Sequence, residues 1–584
     1  MLFNTLAYAK FFACVFVVAW VLVSLRWALL LPWFALAGYA VAHPGGLALG
    51  LVLGSGALSL WLCRRSANAR PGLGDAAISA VVNFGALAWL TYRSYRVDPL
   101  TLSLRALKVP HGASLIWTLA ALAMTITAAT WLLRVRKLRL IFLLGSSYVF
   151  YAFWDWRFLP LILGSSTADW LLGNAIARAP SESGRKRWLF GTALVNLGVL
   201  AVFKYFDFGM SSMRALLQTL GFHPPEATLR VVLPIGISFF TFESMSYVID
   251  IYRRRIQPHP SYLEYLTFVA FFPHLVAGPI IRPRDLLPQL ASPPRWSGRE
   301  GSEGLFLIGL GLLKKVAIGD YLALNLVDRV FDAPMRYSAL ECYAAVVGYA
   351  VQIYCDFSGY TDIAIGSALL LGIRFPLNFN APYKAQNIAD FWRRWHISLS
   401  TWLRDYLYIP LGGNRKGRVR TYVNLMLTML LGGLWHGANW TFVAWGGLHG
   451  AALLLTRAFG SWRERRGLVP SGSPVKKALS VFLTFHFVCA AWVFFRAESF
   501  GKARLFFFEL ATLTTYHVNL PRQLLAVLAL GVVCHYLPER WYLGSRDAFI
   551  RWPAPAQGLA LFCVALALHN MQTAEAVPFV YFQF

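Results

Sequence analysis

The chain has 584 residues, 57% of them hydrophobic and only 14% charged, against about 25% charged in soluble domains. Its 54 basic and 27 acidic residues leave a net charge of +27. This composition argues against a water-soluble fold. The basic residues sit in short loops between apolar runs rather than in a separate basic domain, which sets aside a nucleic-acid partner.

Uncharged apolar runs of about 18 residues or more read as membrane spans. Runs at 5–25, 26–42 and 45–62 follow one another almost without a break, and another lies near 75–92. No small-residue cleavage site separates the first two, so the first reads as a retained span rather than a signal peptide. The polar stretch Tyr92 to Gly112, with Arg93, Arg96, Arg105 and Lys108, then divides an accessory membrane segment, 1–112, from a membrane core, 113–584. Core runs lie near 113–133, 138–155, 157–177, 188–206, 231–249, 263–281, 304–324 and 338–355. Further runs lie near 421–435, 438–456, 478–495, 523–537 and 557–570. Together they predict an all-α, polytopic integral membrane bundle of roughly a dozen or more spans.

The loops Arg64-Arg65, Arg134 to Arg139, Arg185 to Arg187, Arg253 to Arg255, Arg415 to Arg420, Arg463 to Arg466 and Lys476-Lys477 fit the positive-inside bias and contact with lipid head groups. The seven cysteines include no Cys-x-x-Cys pair, so neither a disulfide framework nor a zinc site is expected. No phosphate-binding Walker loop and no His-Glu-x-x-His motif occurs.

Polar pieces at Gln257 to Tyr262 and Arg282 to Glu303, and the stretch Asn378 to Arg420, interrupt the core. The last is too polar to span, yet rich in aromatics. On a helical wheel Phe391, Trp392, Trp395, Leu399, Trp402, Leu403 and Tyr406 share one face, with Arg393, Ser400 and Arg404 opposite. The pattern predicts one amphipathic, interfacial or re-entrant helix over Phe391–Tyr406, ended by Pro410 and Gly412-Gly413. Gly278-Pro279 predicts a broken membrane segment, tolerated where backbone lines a cavity.

Ionisable residues at membrane depth are costly and so are candidate functional groups. His436, in Leu434-Trp435-His436-Gly437-Ala438-Asn439, lies between two apolar runs. Its imidazole reads either as a base for a hydroxyl proton or as a buried histidine bonded to a neighbouring helix. Gly437 would admit a close approach of substrate to the backbone, and Asn439 offers a nearby donor or acceptor. His396, at the edge of the amphipathic face, reads either as a second site histidine or as an interfacial side chain with its tip in water. Asp356 and Asp362 flank a turn-like Ser358-Gly359. They read either as carboxylates that orient a histidine or as helix caps.

The run Asp390-Phe391-Trp392-Arg393-Arg394-Trp395-His396-Ile397-Ser398-Leu399-Ser400, followed by Leu434-Trp435-His436-Gly437, resembles the membrane-bound O-acyltransferase family. The match is closest to its bacterial branch acting on polysaccharides. Pro234 to Phe242, Val276 to Ile280 and Asp356 to Gly366 are similar too, and the resemblance spans about 113–570. Glu243 and His274 depart from it, the first standing where an uncharged residue such as Gln is expected.

The resemblance implies a helical bundle whose funnels meet near the membrane centre, with His436 as catalytic histidine and His396 in support. Trp435, Asn439, Asp356, Asp362, Arg393 and Arg394 are the expected substrate-binding residues, and no metal is expected. It implies no bound cofactor, with acetyl-CoA or another acyl thioester as donor. The expected acceptor is an exported or cell-envelope polysaccharide. Expected partners are membrane lipids and periplasmic acetyltransferase or accessory proteins, and the expected location is the bacterial inner membrane. The rival reading is a transporter or flippase for a lipid-linked sugar or acyl carrier, which also needs broken helices and buried polar groups.

Overall fold

The computed structural model describes residues 5–21, 46–65, 137–222, 232–294, 297–467, 473–571 and 579, with scattered residues between 29 and 89. The expected runs at 26–42 and 113–133, and the boundary at 112–113, lie wholly or largely outside the described residues, and the run at 75–92 is described only in part. Among those residues the chain is helical and has no strand.

Two helices, α1 (Leu6–Val21) and α2 (Gly46–Arg65), come first. Three more, α3 (Leu138–Asp155), α4 (Leu159–Arg178) and α5 (Glu182–Leu200), lead through a π-helical turn at Ala201–Tyr205 into α6 (Phe206–Thr219). Next come α7 (Ile237–Tyr252), α8 (Tyr262–Ala270) and α9 (Gly298–Leu312), the last running into a π-helical stretch, Leu313–Asp320. The longest, α10 (Ala339–Leu370), starts on a capping box in which Ser338 and Glu341 satisfy each other's backbone N–H groups. Two short helices, α11 (Ile388–Arg394) and α12 (Ile397–Leu403), precede α13 (Gly417–His436), α14 (Trp440–Arg465) and α15 (Pro474–Arg496). The described chain closes with α16 (Phe500–Ala511), α17 (Arg522–Tyr536), α18 (Glu539–Arg551) and α19 (Ala554–Met571).

Three described helical stretches, Glu182–Thr219, α14 and α15, are each long and apolar enough to cross a bilayer. The pair α17 and α18, bent by 93°, passes that test only together. This is fewer than the runs in the sequence, partly because runs such as 113–133 lie outside the described residues and partly for a chemical reason. Long helices such as α10 carry carboxylates inward, while other apolar runs are broken into short pieces by proline, glycine and π-helical turns. Outward-facing Phe190, Leu194, Leu455 and Phe562 are exposed, as lipid contact requires.

Close packing rests on glycine. Gly311 and Gly304 of α9 back onto the Gly359 and Gly366 carbonyls of α10; a Cβ at Gly311 would stand 2.5 Å from Gly359 O, and one at Gly366 2.5 Å from Gly304 O. Helix α1 joins this core. Tyr8 Oη lies 2.8 Å from Ser367 Oγ, and the Trp20 indole N–H donates to Leu370 O at 2.9 Å. Leu62 and Cys63 of α2 belong instead to a small separate cluster with Leu29 and Leu30.

The basic segments gather at one face. Arg185 donates to the carbonyls of Ile176, Ile251 and Tyr252, tying the ends of α4 and α7 to the start of α5. Arg253 donates to Asp405 O, and Arg282 pairs with the Asp405 carboxylate at 2.6 Å. Partial burial pushes that carboxyl up, but hydrogen bonds from Arg404 and Arg282 outweigh burial and hold it below the usual carboxylate range. Helix α13 starts at this basic face and α14 ends there. His436, Asn439 and Arg496 therefore share the opposite end of the α13–α14–α15 hairpins, about 30 Å away for 20 residues at 1.5 Å each.

Candidate active site

His436 is the last residue of α13 and is 4% exposed. Trp435, Trp445 and Phe495 meet its ring edge-on, with centroids 5.0, 5.1 and 5.4 Å away. The helix stops because Gly437 is extended, and Asn439 caps the next helix by accepting from Thr441 N at 3.0 Å. A side chain at Gly437 would collide with the Phe442 ring, so the glycine serves packing.

His436 borders a small cavity of about 80 Å³, lined also by Lys204, Gly236, Ser238, Val276 and Trp435. A second cavity, about 540 Å³, adjoins it through the shared residues Lys204 and Leu233, and is lined by Asp207, Asp332, Asn439 and Arg496 among others. The arrangement puts an imidazole on a small cavity beside a polar vestibule, at the end of α13 opposite the basic face.

The Asn378–Arg420 region differs from the single amphipathic helix its pattern suggested. It breaks at Trp395–His396, where Trp395 is extended and His396 is left-handed with φ 42°. The segment around Asn378 and Asn380 displaces the helical bonds: Asn380 N donates to Arg394 O and Ile397 N to Asn378 O, both at 2.9 Å. Nor is its aromatic face interfacial, since Phe391, Trp395, His396 and Leu399 are all fully buried.

His396 Nδ1 lies 3.3 Å from Asn378 Oδ1, which also accepts from Ser398 N at 3.1 Å and Ser398 Oγ at 2.8 Å. A backbone N–H can only donate, so that amide oxygen is fixed as an acceptor and Nδ1 carries the proton. His396 Nε2 is left with its lone pair and has no hydrogen-bond partner among the described residues. The Trp435 ring contacts both histidines, at 6.3 Å from His396 and 5.0 Å from His436.

The break at Gly278-Pro279 is present and fully buried. Its backbone is satisfied by side chains: Ile280 N donates to Ser398 Oγ at 3.0 Å and Ile281 N to Glu243 Oε1 at 2.9 Å. Glu243 and His274, off-pattern in sequence, face each other, with His274 Nδ1 3.1 Å from Glu243 Oε1.

The two aspartates lie elsewhere. Both sit inside α10, not at a turn and not as caps. Lys315 Nζ is 2.6 Å from Asp356 and 2.5 Å from Asp320, and Lys314 Nζ is 2.7 Å from Asp362. Arg393 and Arg394 both reach Asp390, at 3.8 and 3.0 Å, and the loop Asn414 to Arg420 is exposed on the basic face. Asn439 is largely taken up by structure, since its Nδ2 donates to Glu498 O at 2.9 Å. Lys204 was not singled out in sequence. The signal was there, a lysine inside the apolar run 188–206.

The profile of the membrane-bound O-acyltransferase family matches residues 206–495, which hold both histidines and part of the vestibule lining. A probable alginate O-acetylase of Pseudomonas putida is 39% identical over 475 residues, covering 77% of this chain and 95% of that protein. A peptidoglycan O-acetyltransferase of Helicobacter pylori is 38% identical over 390 residues, 62% of this chain and 72% of that one. A teichoic acid D-alanyltransferase of Bacillus subtilis is 29% identical over 293 residues, 48% and 71% respectively.

Buried histidines in a broken-helix membrane bundle, and likeness of this extent, define the class: the chain belongs to the membrane-bound O-acyltransferase family. It is an O-acyltransferase and a multi-pass membrane protein, and the carrier reading falls away.

Proposed function

We propose that the chain moves an acetyl-type group from a cytosolic thioester, most simply acetyl-CoA, toward a hydroxyl of an exported polysaccharide, with His436 as the base. The observation that carries this reading is the position of His436, buried on the 80 Å³ cavity that adjoins the polar vestibule. An imidazole there can take a hydroxyl proton as the oxygen attacks the thioester, then return it to the leaving thiolate. Enclosure in aromatic rings keeps bulk water from competing as acceptor.

The polysaccharide acceptor is supported by the names of the relatives, which act on alginate, peptidoglycan and teichoic acid. The basic face suits the cytoplasmic side of a bacterial inner membrane, where loop arginines meet anionic lipid and a phosphorylated donor alike. Arg393, Arg394 and Arg415 to Arg420 are the donor-side candidates. The vestibule then faces the periplasm, where an acceptor or a partner's nucleophilic serine would enter. On this reading His396 supports His436 across Trp435, and Trp435 and Asn439 line the acyl path. Asp356 and Asp362 act on the site through the packing of α10.

The test is the ester content of the exopolysaccharide in cells that lack the protein, complemented with wild type or His436→Ala. Acetylation should vanish without the protein, return with wild type and stay absent with the variant. Unchanged acetylation in cells without the protein would remove the polysaccharide acceptor.

A further inference from the structure

We propose that Lys204 is the cation that works beside His436, anchored to the end of α13 and offered to the negatively charged oxygen of the reacting acyl group. The proposal rests on the acyl-transfer reading above and gives its oxyanion a partner.

Lys204 stands in the π-helical turn between α5 and α6, a local irregularity that takes a side chain out of helical register and often marks a functional position. Its Nζ donates to Trp435 O at 2.5 Å, and lies 3.4 Å from both His436 O and Ser238 Oγ. An ammonium has three donors and no acceptor capacity. All three of its partners are neutral, and so is the Trp435 ring, whose centroid is 5.8 Å away. Among the described residues no carboxylate neutralises it. Lys314 and Lys315, also on a π-helical stretch, make the contrast, because each is held by an aspartate. A membrane lysine without a counter-ion is expensive unless the charge is used.

Placement says what the charge is used for. Lys204 lines the small cavity that His436 borders and also the vestibule. One short bond fixes the ammonium to the backbone of the catalytic turn. The two at 3.4 Å are long for hydrogen bonds and can be exchanged for an anionic oxygen, which binds a charged donor more strongly than a neutral one does. The alternative donor in the turn, the Asn439 amide, already serves Glu498 O.

The step balances without a further reactant. The acceptor O–H gives its proton to His436 as its oxygen bonds the thioester carbon, and the carbonyl electron pair moves onto the carbonyl oxygen beside Lys204. When that pair returns, the C–S bond breaks and the thiolate takes the proton from His436, leaving ester and thiol. Lys204 stands two residues before the family-matched segment, 206 − 204.

The test uses the full chain in detergent as wild type, Lys204→Met, Lys204→Gln and Lys204→Arg, each checked for melting temperature. Two readouts are needed. The first is acetyl transfer from labelled acetyl-CoA to alginate oligosaccharide. Removing one preorganised oxyanion donor lowers kcat by about 100- to 1,000-fold. Met and Gln should show that loss with KM within about threefold, and Arg should recover at least a tenth of the wild-type rate.

The second readout is binding of a methylphosphonate analogue of acetyl-CoA, an anionic tetrahedral mimic that needs no turnover. Met and Gln should bind it at least tenfold more weakly than wild type, and Arg within about threefold. Lost binding together with absent transfer in wild type would keep the Lys204 anion site and sink the acyl-transfer reading. Equal binding by wild type and Met, or a Gln variant that turns over like wild type, would overturn the role of Lys204.

Discussion

At the residue scale the site is a set of protons and lone pairs whose places are fixed by groups that have no choice. Asn378 Oδ1 accepts from Ser398 N, Ser398 Oγ and His396 Nδ1, and Ser398 Oγ in turn accepts from Ile280 N. One asparagine therefore sets the His396 tautomer and, through Ser398, the broken Gly278-Pro279 segment. Asn378→Ala leaves the Ser398 N–H buried without its acceptor, worth about 1–3 kcal/mol, and frees the imidazole to turn. The expected outcome is a lower melting temperature together with a kcat for acyl transfer reduced by about 10-fold or more, KM moving little. Wild-type kcat in a destabilised protein would show that His396 orientation is irrelevant. The sequence points to His396 and His436 through their motifs, and it holds Lys204 in plain view inside an apolar run. It does not point to Asn378, whose neighbours in sequence are ordinary loop residues and whose importance comes from a contact 18 residues away.

At the element scale, small residues decide which helices touch. Gly304 and Gly311 on α9 meet Gly366 and Gly359 on α10, seven residues apart on each helix. The same contact brings Lys315 to Asp356 and Lys314 to Asp362. Gly359→Ala places a methyl 2.7 Å from Gly311 O, a rigid backbone atom, so the helices must separate. Overpacking of this kind costs about 1–3 kcal/mol, and the expected outcome is a clear drop in melting temperature in detergent. An unchanged melting temperature would mean that the α9–α10 contact is looser than these distances.

The Ser358-Gly359 pair resembles a turn in sequence because glycine there has two meanings, and only the facing glycine of another helix separates them. The amphipathic pattern over Phe391–Tyr406 misleads for a related reason. Its aromatic face is real, but it packs against protein, and backbone from 378–380 enters and splits it at His396.

At the scale of the whole molecule, charge and apolar surface divide the bundle into a basic face and a polar vestibule at opposite ends of α13, with His436 on the small cavity that adjoins the vestibule. Composition alone carries the membrane class, and the loop arginines foreshadow the basic face. The number of clean spans is not legible in this way, because a buried helix such as α10 and a lipid-facing helix such as α15 both read as apolar runs. Their difference lies in whether the polar positions find partners inside the protein. The place of α1 is equally hidden, since Tyr8 and Trp20 reveal their part in the core only through Ser367 and Leu370. The proposed division of labour between the two faces comes down to one side chain, His436. It is tested most directly by acyl transfer from labelled acetyl-CoA to alginate oligosaccharide, with purified wild type and His436→Ala compared at equal amounts of folded protein. The account predicts labelled ester with wild type and a loss of at least about 1,000-fold with the variant; equal label in both would contradict it.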